Sequence, residues 1–179
     1  IPADLYISDE TDRSKQDVVA QYQSRLQHSK FGWRWYFSNP SAPGVGVDKV
    51  WQVSNQKHWF VKCSGCNEEQ YLTMDNIVGN PPIFGCTKCG KELDRTRGRW
   101  RRRFADRDVA GYWISLLMAP WVSAQEILNK QKELSEEQFT NFVLGQPWVG
   151  RGNVLTQNLL FQNLVDGINP QDSRPIIGV

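Results

Sequence analysis

No stretch of this 179-residue chain is apolar over the length that a membrane span needs, and nothing in it resembles a secretory signal. The first absence excludes a helical span within these residues and predicts a soluble, globular chain. The second weighs against the oxidising compartment in which disulfides persist. A loop of the form G-x-x-x-x-G-K-[ST] is missing too, so these residues bring no phosphate cradle and no cradle lysine to a nucleotide. Cysteine is scarce: four residues, all between positions 63 and 89. Charge of one sign is also scarce, with a net of only +2.

What cysteine there is has a pattern. Cys63-Ser64-Gly65-Cys66 and Cys86-Thr87-Lys88-Cys89 are two C-x2-C knuckles with 19 residues between them. That spacing predicts a four-thiolate zinc site, because each tight turn offers two sulfurs to one ion and the second turn closes a tetrahedron. Gly65 is expected to let the first knuckle turn, and Gly85 and Gly90 bracket the second. Residues 57–62 and 69–74 alternate as short strands around them. The competing readings are two disulfides, which lack a suitable compartment, and four unrelated core thiols. A structural zinc site folds its own loop and does no chemistry, so function has to come from the surrounding chain.

The charge also has a pattern. Residues 95–107 carry seven Arg against one Asp, whereas the segments on either side are slightly acidic. Eight Trp is a high count, and several stand near this cluster or near strand ends. Gly98-Arg99-Trp100-Arg101-Arg102-Arg103-Phe104 alternates basic and aromatic residues, as a groove tracking a phosphate backbone would require. A solvated strand face leaving the ribbon explains the same alternation. Strand periodicity places Arg99, Arg101 and Arg103 on one face, with Trp100 and Arg102 on the other.

Ahead of the ribbon, Leu5-Tyr6-Ile7 is an apolar run ending in Ser8-Asp9-Glu10, which predicts a strand buried on both faces of a parallel sheet. Ser14 with Asp17 resembles a capping box, and Val18, Val19, Tyr22 and Leu26 continue at helical spacing to about Ser29. Gly32 ends that helix and residues 33–37 form a second apolar strand, completing a β-α-β unit. Chemistry in open α/β sheets gathers at the carboxyl ends of strands. Here those ends carry Asp9-Glu10 and Ser38-Asn39-Pro40-Ser41. An apolar strand ending in Asp-Glu is the Walker B pattern, in which the Asp helps to hold Mg²⁺ and the Glu orients or deprotonates a water. A structural acidic cluster with Asp12 at a helix entry is the alternative. Beyond the ribbon, 111–117 reads as a strand closed by Pro120. Ser123 with Glu126 and Ser135 with Gln138 are capping boxes opening two packing helices, and Gly145 stands at a C-terminal cap.

Taken in order, these segments resemble the large subunit of tailed-phage terminases, particularly the lambda-like kind. The resemblance rests on Leu5-Tyr6-Ile7-Ser8-Asp9-Glu10-Thr11-Asp12-Arg13, the Ser38-Asn39-Pro40-Ser41 loop, the C-x2-C pair and Gly98-Arg99-Trp100. It continues through Gly111-Tyr112-Trp113-Ile114-Ser115, Ala119-Pro120-Trp121-Val122-Ser123 and Asn141-Phe142-Val143-Leu144-Gly145-Gln146-Pro147-Trp148. The resemblance implies an α/β fold, part of a P-loop ATPase parallel sheet with an inserted four-cysteine zinc ribbon. It implies an ATPase core part over 1–56, the ribbon over 57–97 and a return to the ATPase domain over 98–149. A linker over 150–174 and the first strand of a nuclease domain over 175–179 would follow. Asp9 would then be the magnesium-side carboxylate, Glu10 the catalytic glutamate, and Ser38, Asn39 and Pro40 the motif coupling hydrolysis to movement.

Expected cofactors are structural Zn²⁺ on Cys63, Cys66, Cys86 and Cys89, with Mg²⁺ and ATP in the full-length protein. Expected partners are double-stranded DNA, held in part by Arg99, Arg101, Arg102 and Arg103, the terminase small subunit, the portal of the procapsid and further copies in a ring, with no membrane. The location would be the host cytoplasm, docked transiently on the procapsid. Both ends of the chain look cut, so a fragment of a longer protein is expected, inactive alone for want of the phosphate loop. A zinc-ribbon helicase-like translocase and a non-enzymatic zinc-ribbon nucleic-acid binder are the alternatives.

Overall fold

A computed structural model describes residues 3–150. The linker beyond Gly150 and the strand expected over 175–179 lie outside the described residues. Among the described residues the fold is mixed α/β with three small sheets. The first sheet is the expected parallel unit: β1 (Leu5–Ser8) pairs in register with β2 (Trp33–Tyr36), Leu5 opposite Trp33 and Ser8 opposite Tyr36. Helix α1 (Gln16–Gln23) lies between them and tightens into a 3-10 turn, Ser24–Leu26. Val19 and Leu26 are its buried anchors. The helix is shorter than the periodicity suggested, and its N-cap is Lys15 with no side-chain cap, so the Ser14–Asp17 capping box does not form.

One expectation is overturned here. β1 and β2 are not buried on both faces: Ile7 is 54 % exposed and Trp33 is 55 % exposed, with Trp35 and Phe37 similarly open. Among the described residues this parallel sheet has only two strands, so no P-loop parallel sheet is present. An apolar run predicts a strand, but it cannot say how many neighbours that strand will find.

Helix α2 (Gly46–Val53) leads into the second sheet, which has three strands and is antiparallel throughout. β3 (Lys57–Lys62) is central, flanked by β4 (Glu69–Tyr71) and β7 (Gly98–Arg102). The strand expected over 69–74 stops at Tyr71 and passes into a 3-10 turn, Met74–Asn76, opened by a Thr73–Asn76 capping box. β5 (Ile77–Val78) and β6 (Ile83–Phe84) form a small hairpin that delivers the second knuckle. Residues 111–117 are not a strand. They make one bridge, Tyr112 to Lys57, and then a 3-10 turn, Leu116–Met118.

Both later capping boxes form as expected. Ser123 and Glu126 open α3 (Ala124–Glu133), and Ser135 and Gln138 open α4 (Glu136–Gln138). A π-helical turn, Phe139–Val143, follows α4, and Gly145 has φ +63°, the left-handed conformation of a helix stop. These helices pack against the ribbon. Val61, Leu72, Phe84 and Leu93 form one apolar cluster with Leu117, Ile127, Phe139 and Val143. Full burial of such a side chain contributes about 1.5–3 kcal/mol, which makes this cluster the main source of cohesion. Arg95 reinforces it: its guanidinium lies 4.0 Å from the Phe84 ring centre and donates to the carbonyls of Leu117 (2.9 Å), Ala119 (2.8 Å) and Val122 (2.8 Å).

Candidate metal centre and acidic strand end

The two knuckles are built alike. Cys63 O accepts from Asn67 N–H at 3.0 Å, and Cys86 O accepts from Gly90 N–H at 2.8 Å. The residue after each second cysteine turns left-handed, Asn67 at φ 62° and Gly90 at φ 73°. A Cβ added at Gly65 would meet only the flexible Lys91 side chain, 2.9 Å away, and the Gly65 backbone is not left-handed, so this knuckle does not demand glycine there. The Gly65 N–H donates to Cys63 Sγ at 3.3 Å.

All four sulfurs lie within 4.8 Å of one another, with Cys63–Cys89 and Cys66–Cys86 both at 3.6 Å. A disulfide bond is about 2.05 Å long, so these are four free thiols. A tetrahedron with Zn–S near 2.3 Å has S···S edges of about 3.8 Å, close to the shorter separations here. The four cysteines therefore form a group that can hold a metal ion such as zinc.

The surroundings favour thiolate at two positions and oppose it at a third. At Cys63 the backbone N–H groups of Cys66 and Gly65 pull the thiol down. At Cys86 burial is the largest influence and raises the value. The N–H groups of Lys88 and Cys89, with the Gln70 amide, outweigh it and bring the thiol to about 6. At Cys66 the Glu68 N–H lowers the value, but burial and the three neighbouring thiols push it up to about 12. Crowded sulfurs resist ionising together, and a dication among them removes that conflict.

Two residues that sequence reasoning missed orient this site. Gln70 donates from Nε2 to Cys86 Sγ at 3.0 Å, and its Oε1 accepts from Asn76 Nδ2 (2.7 Å) and Thr87 N–H (3.1 Å). Asn76 is buried and also donates to Gly85 O at 3.0 Å. The Thr73–Asn76 capping pattern was a readable signal for Asn76. Nothing marked Gln70, whose role depends on β4 lying beside the second knuckle.

At the other candidate site, Asp9 and Glu10 stand exposed at the carboxyl end of β1. Glu10 has φ 51°, a left-handed backbone that costs a non-glycine residue about 1–3 kcal/mol and is met often at functional sites. Asp9 Oδ1 accepts from the Glu10 N–H at 3.0 Å, and the Glu10 carboxylate pairs with Arg13 at 3.3 Å in solvent. The strand ends are joined. Thr11 N–H donates to Phe37 O at 3.2 Å, and the Thr11 hydroxyl donates to Ser8 Oγ at 3.0 Å. Ser38, Asn39 and Pro40 therefore lie beside the acidic end and also line a cavity of about 300 Å³ with Trp51, His58 and Trp113. Burial among the Trp51, Tyr71 and Trp113 rings holds His58 below the usual imidazole range.

The arginine row is partly committed to the protein itself. Arg99 and Arg101 share a face of β7 as strand alternation requires, and both pair with Glu69 on β4, at 2.7 and 3.0 Å. Trp100 points the other way, onto Trp59 and Tyr112. β7 ends at Arg102, so Arg103 leaves the row and its guanidinium lies 5.2 Å from the Phe104 ring centre. No described helix is long and apolar enough to cross a membrane. Comparison of the chain with protein-family models, with curated proteins and with solved structures found no match.

Proposed function

We propose that this chain is part of the large subunit of a tailed-phage DNA-packaging terminase, supplying the later part of its ATPase and a zinc ribbon. The observation that supports this reading is the parallel β1-α1-β2 unit, whose two strand ends bring Asp9-Glu10 beside Ser38-Asn39-Pro40. In such a motor Asp9 helps to hold Mg²⁺ and Glu10 orients the water that attacks the γ-phosphate of ATP. The 38–41 loop passes the outcome to the rest of the domain, and double-stranded DNA is the load. The cradle for the phosphates would come from residues outside this chain, and a nuclease domain, the small subunit, the procapsid portal and further copies complete the machine. Zn²⁺ on Cys63, Cys66, Cys86 and Cys89 is structural.

A second reading, a metal-ribbon nucleic-acid-binding module without catalysis, is favoured by the ion pair that occupies Glu10 with Arg13. Glu10→Gln in the full-length protein discriminates between them. Loss of an orienting or basic carboxylate lowers turnover by roughly 10²–10⁴-fold while ATP binding persists. A variant that hydrolyses ATP at the normal rate would sink the motor reading.

A further inference from the structure

We infer that Asp12, to which the motifs assign no role, is the positioning residue that holds Glu10 in register with the 38–41 loop and the first turn of α2. This rests on the proposed ATPase reading of Glu10. Both oxygens of the Asp12 carboxylate are engaged across long stretches of chain. Oδ1 accepts from Val47 N–H at 2.7 Å. Oδ2 accepts from Ser41 N–H at 2.9 Å and from the Ser41 hydroxyl at 2.8 Å. The Asp12 N–H in turn donates to Ser38 Oγ at 3.1 Å, so the bonds run both ways.

Local sequence explains why the partner must come from afar. The N-cap of α2 is Val45, which has no side chain able to accept a bond from the first-turn N–H groups. Asp12 caps that turn from 35 residues upstream. Gly46 makes room: it adopts φ +53°, and a Cβ there would overlap the Asp12 carboxylate. On its other side Asp12 belongs to the 3-10 turn Thr11–Arg13, whose N-cap is Glu10. That turn is tied to Glu10 through Arg13 N–H donating to Glu10 O at 2.9 Å. One carboxylate thus joins the candidate catalytic residue, the candidate coupling loop and a helix whose Trp51 reaches His58 at the base of the ribbon.

The test is steady-state ATP hydrolysis by the full-length protein, with DNA present, for Asp12→Ala, Gly46→Ala and Ser41→Ala beside Glu10→Gln, with thermal unfolding of each. A displacement of about 1 Å at a reacting group costs on the order of 10²-fold in rate. Asp12→Ala and Gly46→Ala should therefore lower kcat by roughly that factor with KM for ATP nearly unchanged. Ser41→Ala, which removes only one of the three bonds, should fall between them and wild type. If Glu10→Gln is inactive while Asp12→Ala and Gly46→Ala, counted per folded molecule, keep the wild-type kcat, Asp12 is only a helix cap and the inference fails alone. A fully active Glu10→Gln overturns the ATPase reading and this inference together. Should Gly46→Ala not fold, the graded pair Ser41→Ala and Asp12→Asn decides between the same outcomes.

Discussion

Removing the metal from the four-cysteine group should loosen α3 as well as the ribbon. Cys63 and Cys86 are buried in the same cluster as Val61, Leu72 and Phe84, and that cluster runs on without a break to Ile127, Phe139 and Val143. Metal binding at a structural zinc site is worth about 10–16 kcal/mol near neutral pH. The whole stability of a typical domain is about 5–15 kcal/mol. The first figure is comparable with the second, so loss of a cation from these four thiols should loosen the apolar cluster that Cys63 and Cys86 share. The assay is hydrogen exchange before and after chelation, with metal content measured on the same samples. About one zinc per chain should be found. Amides in α3 should lose protection together with those of β3, although α3 touches no cysteine ligand in sequence. Amides in α1, which contacts β1 and buries Val19 away from the cysteine group, should change far less. Unchanged α3 protection in metal-free protein would refute the coupling, and absence of metal from the native protein would refute the site.

Gln70→Leu should weaken metal binding by roughly 10–100-fold, since it deletes the amide that orients Cys86 Sγ; a competition titration with a chelator measures it. The Arg99 guanidinium bonded to Glu69, with Arg101 beside it, holds the Glu69 carboxyl below the usual carboxylate range. A depressed folded value means that the pair's contribution is present above the unfolded value of about 4.3 and is lost as pH falls through the folded one. Glu69→Gln should accordingly melt lower than wild type at pH 7, with a smaller gap at pH 3, and an equal gap at both would overturn the assignment. Replacing Arg99, Arg101 and Arg103 together with Ala should flatten the dependence of log DNA affinity on log salt by about 0.9 for each phosphate that these side chains no longer neutralise. An unaltered slope would leave these arginines with their contacts inside the chain, to Glu69, Phe60 and Phe104.

The elements that sequence alone determined are those whose cause is local. A C-x2-C turn brings two sulfurs together whatever surrounds it, and Ser123 with Glu126 or Ser135 with Gln138 completes a helix cap within four residues. The β1-α1-β2 unit was legible for the same reason, from an apolar run, a helical period and a second apolar run. Tertiary structure alone decided what depends on distant neighbours. The apolar run 5–7 could not reveal that its strand would find a single partner and leave Ile7 exposed. The aromatic run 111–117 has strand composition, but its place beside Lys57 allows one bridge only. The arginines read as free cations until β4 brought Glu69 across from them. Asp12 looked like one more acidic residue in a cluster, and its three hydrogen bonds exist only because the chain returns to it at Ser41 and Val47. Side-chain chemistry is written along the chain, whereas a hydrogen-bond partner 29 or 35 residues away is set by the path the backbone takes to reach it.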